Sequence, residues 1–163
     1  MKNLEKLFNE CKMELDNIGI EYGVIDDISV NTRAKKRWGQ CRQHGSTYSI
    51  NISVRLLQDD VSDIATKNTI IHEILHTCKG GMCHTGEWKR LANLVNDCYS
   101  CYNIKTKTSS KEKGIEPEPI EYKYELRCKK CGKVYRHQRM CKSIKHPEWY
   151  RCGVCGSDLE RMK

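Results

Sequence analysis

Two cysteine pairs, Cys128-Lys129-Lys130-Cys131 and Cys152-Gly153-Val154-Cys155, stand twenty residues apart in this chain. No other feature restricts its own segment so tightly. The roughly 40 residues around them hold too few apolar side chains for an ordinary core, so the fold needs another source of stability. Four thiolates converging on one zinc ion supply it. Residues 120–163 are therefore expected to form a zinc ribbon, with Cys128, Cys131, Cys152 and Cys155 on a structural Zn²⁺. A redox role for either pair is not supported, because no thioredoxin-like pattern surrounds it. Cys141, between the pairs, is left as a spare thiol.

The chain has eleven cysteines in 163 residues, an odd number. Its N-terminal stretch MKNLEKLFNECKMELDNIGI carries charge in every turn and does not read as a secretion signal. Both facts argue against a secreted disulfide scaffold. No apolar run approaches the roughly 18 residues of a membrane span. The expectation is a monomer with reduced thiols, some of them on metal, in a cytoplasmic or nucleoid-associated setting and without a membrane partner.

A second constellation lies upstream. In His72-Glu73-Ile74-Leu75-His76 the two imidazoles are four residues apart, on one face of a helix. Both can reach one ion, since Zn²⁺ takes such nitrogens at about 2.0–2.1 Å. Glu73 is badly placed to ligate and well placed to take a proton from a water at the ion. That is the chemistry of amide hydrolysis at neutral pH. A third protein ligand is required, with a fourth position open. His84 is the stronger candidate, because Gly80-Gly81 lets the chain turn back after the helix. Glu87, about one turn further on, is the alternative ligand or a partner behind the ligands. A chance match on a solvated helix is the bland alternative. Thr69-Ile70-Ile71 argue against it by marking the helix as buried, where His, Glu and His without a metal would be unfavourable. Cys78, Cys83, Cys98 and Cys101 could make a further four-thiolate set, but packing as small apolar side chains is the role expected of them.

Hydrophobic spacing predicts a helix over 3–17, a strand over 22–30, a second strand over 31–38 and a period-two strand over 48–54. A helix is predicted from an N-cap at Ser62 or Asp60 to Cys78, and another over 86–102. Residues 105–119, KTKTSSKEKGIEPEP, read as a linker. The predicted domains are thus 1–104, a linker 105–119, and the ribbon 120–163. Trp38 is expected in the core, and the strand 47–54 is the expected open edge to which a peptide substrate could add.

The formal charge is +8, and +7 of it falls in residues 121–163, where twelve Lys/Arg face five Asp/Glu. Localised positive charge suits a polyanion, although it is also compatible with a merely solvated surface. Tyr135, Trp149 and Tyr150 are interleaved with Lys129, Lys130, Lys133, Arg136, Arg139, Lys142, Lys145 and Arg151. Aromatics among cations favour single-stranded DNA as the partner.

Arg37-Trp38-Gly39-Gln40-Cys41, Tyr48–Val54 with Arg55-Leu56-Leu57, the His72–His76 helix and His84-Thr85-Gly86-Glu87-Trp88 together resemble the SprT-like family of zinc metallopeptidases. Tyr135-Arg136-His137 and Trp149-Tyr150-Arg151-Cys152 look like features of that family's ribbon. The resemblance implies an α+β, small gluzincin-like metallopeptidase domain, with a short antiparallel sheet on the zinc helix. It implies His72, His76 and His84 as ligands of a catalytic Zn²⁺ and Glu73 as general base. It also implies protein substrates, among them proteins associated with or crosslinked to DNA. A partner-regulated peptidase without DNA contact is a narrower form of this reading. The competing reading is a non-catalytic, zinc-containing nucleic-acid-binding module.

Overall fold

Leu4, Leu7, Phe8, Cys11 and Leu15 recur at helical spacing, and all five are buried along one face of α1 (Leu4–Asn17). The Asn3 side chain caps this helix by accepting from the Lys6 N–H at 2.9 Å. The structure is a computed structural model that describes residues 1–34, 36–117 and 119–162. It divides into two compact units, Met1–Pro117 and Glu118–Lys163.

In the first unit three strands follow α1: β1 (Val24–Asn31), β2 (Gly39–His44) and β3 (Thr47–Ser53). Their order in the sheet is β1-β3-β2. Ile50 and Ile52 of β3 are fully buried, whereas no residue of β1 or β2 is. The most buried strand takes the centre. Two expectations change as a result. β2 and β3 form an antiparallel hairpin, but β1 runs parallel to β3, so the sheet is mixed. The strand 47–54 also has both sides paired and offers no edge, so the open edges belong to β1 and β2. The strand expected over 31–38 starts instead at Gly39.

α2 (Asp63–Leu75) begins at Ser62, whose hydroxyl accepts from the Ala65 N–H at 3.1 Å. It ends three residues earlier than its spacing predicted. Eight of its thirteen residues are buried, so it is covered on most sides and its polar groups must find partners inside the protein. Thr66 donates to the Leu56 carbonyl at 2.7 Å. α3 (Gly86–Cys98) buries Trp88, Leu91, Ala92 and Val95. It too stops early. The Asn96 amide clamps the returning chain, accepting from the Ile104 N–H at 2.7 Å and donating to its carbonyl at 3.2 Å. That turn buries Tyr102 and Ile104. Of the four cysteines expected to pack as apolar groups, Cys78 is buried, while Cys83, Cys98 and Cys101 are exposed.

Residues 105–117 do not behave as a linker. Trp38 Nε1 donates to the Thr108 carbonyl at 3.3 Å and the Arg55 guanidinium to the Glu116 carbonyl at 3.1 Å. Ile115 packs on the core, and Lys113 is only 5% exposed. Backbone carbonyls and a lysine stem tie the segment down, and polar composition does not reveal either.

The second unit has β4 (Tyr124–Cys128) between β5 (Val134–His137) and β6 (Leu159–Arg161), antiparallel throughout, and one short helix, α4 (Lys142–Lys145). Its core is Leu126, Cys128, Ile144, Cys152 and Leu159. Two of those five are cysteines of the paired motifs, so little apolar burial exists apart from them.

Candidate functional site

His72 and His76 sit at the last turn of α2, and His84 reaches back from the loop before α3. His72 Nε2 lies 3.3 Å from His76 Nε2 and 2.9 Å from His84 Nε2. Nitrogen ligands of a tetrahedral zinc stand about 3.3 Å from one another. The three donors therefore converge at the spacing an ion requires. The Lys105 carbonyl accepts from His72 Nδ1 at 2.9 Å, and the Gly81 carbonyl from His76 Nδ1 at 2.9 Å. A carbonyl has no proton to give, so each Nδ1 carries the hydrogen and each Nε2 presents a lone pair to the site. Burial holds all three imidazoles below their ordinary pKa, His72 down to about 3, with neighbouring histidines adding to the effect for His72 and His84. Neutral imidazoles are the form that binds metal.

Gly81 is required for this geometry. A Cβ there would stand 2.1 Å from the Leu75 carbonyl oxygen, at the end of α2. Behind the three rings lies Trp88, which is 1% exposed. Its centroid is 4.7 Å from those of His72 and His84 and 5.7 Å from that of His76, and its Nε1 donates to the His72 carbonyl at 3.4 Å. Sequence reading placed Trp88 only on the apolar face of a helix. The Lys105 carbonyl could not have been found that way, because any residue carries one. Glu87, the alternative third ligand, points elsewhere. Its carboxylate takes a bidentate pair from Arg90 at 2.6 and 3.0 Å.

Glu73 is 6% exposed. Burial pushes its carboxyl up to about 7, against the opposing pull of the Cys41 backbone N–H and the charges of Arg37 and Lys113. A cleft of about 390 Å³ opens beside Glu73 and His72. Trp38, expected in the core, is half-buried and lines this cleft with one face. Lys113 lies in its wall, where Nζ donates to the Ala65 carbonyl at 3.0 Å and to Thr69 Oγ1 at 2.6 Å. Burial lowers its pKa to about 8.

In the second unit the four expected sulfurs gather. Cys128 Sγ is 3.4 Å from Cys155 Sγ, and Cys131 Sγ is 3.5 Å from Cys152 Sγ. All four sulfurs lie within 4.8 Å of one another, as do the donor nitrogens of the three histidines. The Lys130 and Cys131 N–H groups point at Cys128 Sγ at 3.4 Å, and the Val154 N–H at Cys152 Sγ at 3.4 Å. Such amides favour thiolates, and the Cys128 thiol is held below its ordinary pKa chiefly by the Cys131 N–H. Tyr135, read from sequence as a stacking aromatic, contacts Cys152 Sγ through its hydroxyl at 3.3 Å. Both clusters could therefore hold a metal ion.

The description of the SprT-like family matches residues 5–109. The match includes all of α1 but its first residue and the Lys105 that supports His72, and it stops short of the cysteine cluster. No curated protein matches the chain.

Proposed function

The chain belongs to the SprT-like family, and from that premise we propose that it is a zinc-dependent endopeptidase acting on protein substrates. His72, His76 and His84 would hold a catalytic zinc, and Cys128, Cys131, Cys152 and Cys155 a structural one. The observation that carries this reading is the convergence of the three histidine Nε2 atoms beside the buried Glu73 carboxylate of α2. Bound zinc supplies Lewis acidity that makes water nucleophilic at neutral pH.

The chain's own residues do the rest. Glu73 accepts the proton of the attacking water, and its carboxyl, raised to about 7, is matched to that task near neutral pH. The same carboxyl then hands the proton to the leaving amine. Trp88 and the carbonyls of Lys105 and Gly81 hold the rings, so the site needs little rearrangement as charge develops. The open edge of β2 begins at Gly39, against the Glu73 carboxylate. An extended peptide adding to that edge would bring its backbone to the base.

DNA is the partner proposed for the second unit. Lys129, Lys130, Lys133, Arg136, Arg139, Lys142, Lys145 and Arg151 are all exposed. Trp149 is 67% exposed and stacks on His146 with centroids 4.1 Å apart. A stacked, solvent-facing ring among cations suits an unpaired base. DNA-associated proteins are the substrates this arrangement would favour. The DNA contact could also exist without catalysis, which is the competing reading.

The test is casein cleavage by the zinc-loaded chain and by Glu73→Gln, with and without a single-stranded oligonucleotide. The variant should keep both metals and lose cleavage. Equal cleavage by the two proteins would sink the mechanism. Oligonucleotide binding with a steep salt dependence is expected of the second unit, and binding indifferent to salt would remove DNA from the account.

A further inference from the structure

The cleft beside Glu73 is strongly cationic. Lys36, Arg37, Lys105, Lys107 and Lys113 line it, and among the described residues of its wall Glu73 is the one carboxylate. Lys105 is partly neutralised by Glu112 at 3.0 Å. Lys113 differs from the other four. Lysine is almost never buried to this degree unless it is paired with an acid. Lys113 is 5% exposed, and its hydrogen bonds go to two neutral oxygens, the Ala65 carbonyl and the Thr69 hydroxyl. An ammonium has three hydrogens to donate. A desolvated cation without a contacting carboxylate is unfavourable, and an anion entering the cleft would relieve it.

Position adds to this. Thr69 precedes Glu73 by four residues on α2, so the group that anchors Lys113 lies about 6 Å along the helix from the base. An extended peptide advances about 3.3 Å per residue. The anion best placed to meet Lys113 is therefore carried one or two residues from the bond under attack. The cleft is also too small for a duplex, and its volume suits a few side chains.

We propose that this cleft selects acidic peptide segments, and that Lys113 binds an Asp or Glu side chain within two residues of the cleaved bond. The proposal names the substrate class of the peptidase site and rests on that reading.

Three quenched fluorescent peptides test it. They share one core sequence and carry Glu, Gln or Lys at the two positions on each side of the bond. With the full zinc-loaded chain, kcat/KM should favour the Glu peptide over the Gln peptide by about tenfold or more, chiefly through KM. Lys113→Met should abolish the preference while circular dichroism stays unchanged. If Lys113→Met does not fold, the charge reversals Lys36→Glu and Lys107→Glu on the exposed rim should each reduce it. Binding of the uncleaved peptides to Glu73→Gln, read by anisotropy, should follow the same order and weaken with salt. Equal kcat/KM for the Glu and Gln peptides overturns the proposal and leaves the peptidase intact. Displacement of the Glu peptide from Glu73→Gln by a single-stranded oligonucleotide also overturns it, and would make the cleft a nucleic-acid site. Should the wild type cleave none of the three, the peptidase reading fails, and the anisotropy order alone decides the cleft's preference.

Discussion

Gly39 and the Glu73 carboxylate are in direct apposition: a Cβ at position 39 would stand 2.5 Å from Oε1 and 2.7 Å from Cγ. The glycine that opens β2 is thus the surface on which the proposed general base rests. Gly39→Ala must push the carboxylate away, because all three of the nearest atoms, Oε1, Cγ and Cδ, belong to the Glu73 side chain. We expect kcat to fall by roughly 10²-fold, as for other small displacements of a catalytic group. Metal content and melting temperature should stay near wild type. A variant that cleaves normally would show that the carboxylate does not need this seat.

His84 and Glu87 were both candidates for the third ligand, and their surroundings differ. His84 Nε2 is 2.9 Å from His72 Nε2, while Glu87 is engaged by Arg90. His84→Ala should lower the metal count of the purified chain by one. Glu87→Gln should leave the count unchanged. Mass spectrometry of the intact protein under native conditions distinguishes the two, and the reverse pattern would reassign the site.

Trp88 supports the rings without ligating. Trp88→Ala removes a fully buried indole and should destabilise the first unit by about 3–5 kcal/mol. Trp88→Phe fills most of the space but loses the bond to the His72 carbonyl. It should fold and bind zinc about tenfold more weakly, the effect typical of groups behind a ligand. Competition with a chromogenic chelator measures it.

The pH dependence of stability carries the signature of Glu73. Its folded pKa of about 7 lies above its ordinary value of 4.5. The folded state therefore favours the protonated form. The stabilising contribution is fully present below about 4.5 and is lost as pH rises through 7. In metal-free protein, Glu73→Gln should be more stable than wild type at pH 8, by roughly 3 kcal/mol at most, and equal to it near pH 4. The histidines shift in the opposite direction, but they are common to both proteins and cancel in the difference. Urea titrations in a Trp149→Phe background, where tryptophan fluorescence reports the first unit alone, give the comparison. A constant difference across this range would contradict it.

The second unit should depend on its metal outright. Its core is five residues, two of them cysteines of the cluster. Cys128→Ser in the full chain should remove one metal and leave residues 118–163 open to trypsin, while the first unit stays protected. Retained protection would mean that apolar contacts suffice.

Much of this was legible in the sequence, for reasons that differ by element. Spacing determined α1, because Leu4, Leu7, Phe8, Cys11 and Leu15 can share a face only in a helix. Spacing also determined that His72 and His76 would lie together, and that the two cysteine pairs would need one centre. Those are local facts: a helix or a knuckle forms within a few residues, and its side-chain directions follow from its period. Tertiary structure alone decided the rest. It put β3 between β1 and β2, because the pairing that buries Ile50 and Ile52 depends on every strand at once. It seated Glu73 on Gly39, thirty-four positions earlier in the chain. It folded residues 105–117 against α2, supplying a carbonyl for His72 and a buried ammonium for the cleft. Backbone carbonyls and lysine stems have no sequence signature, so the sequence named the chemistry of this site and only the packed chain could show what surrounds it.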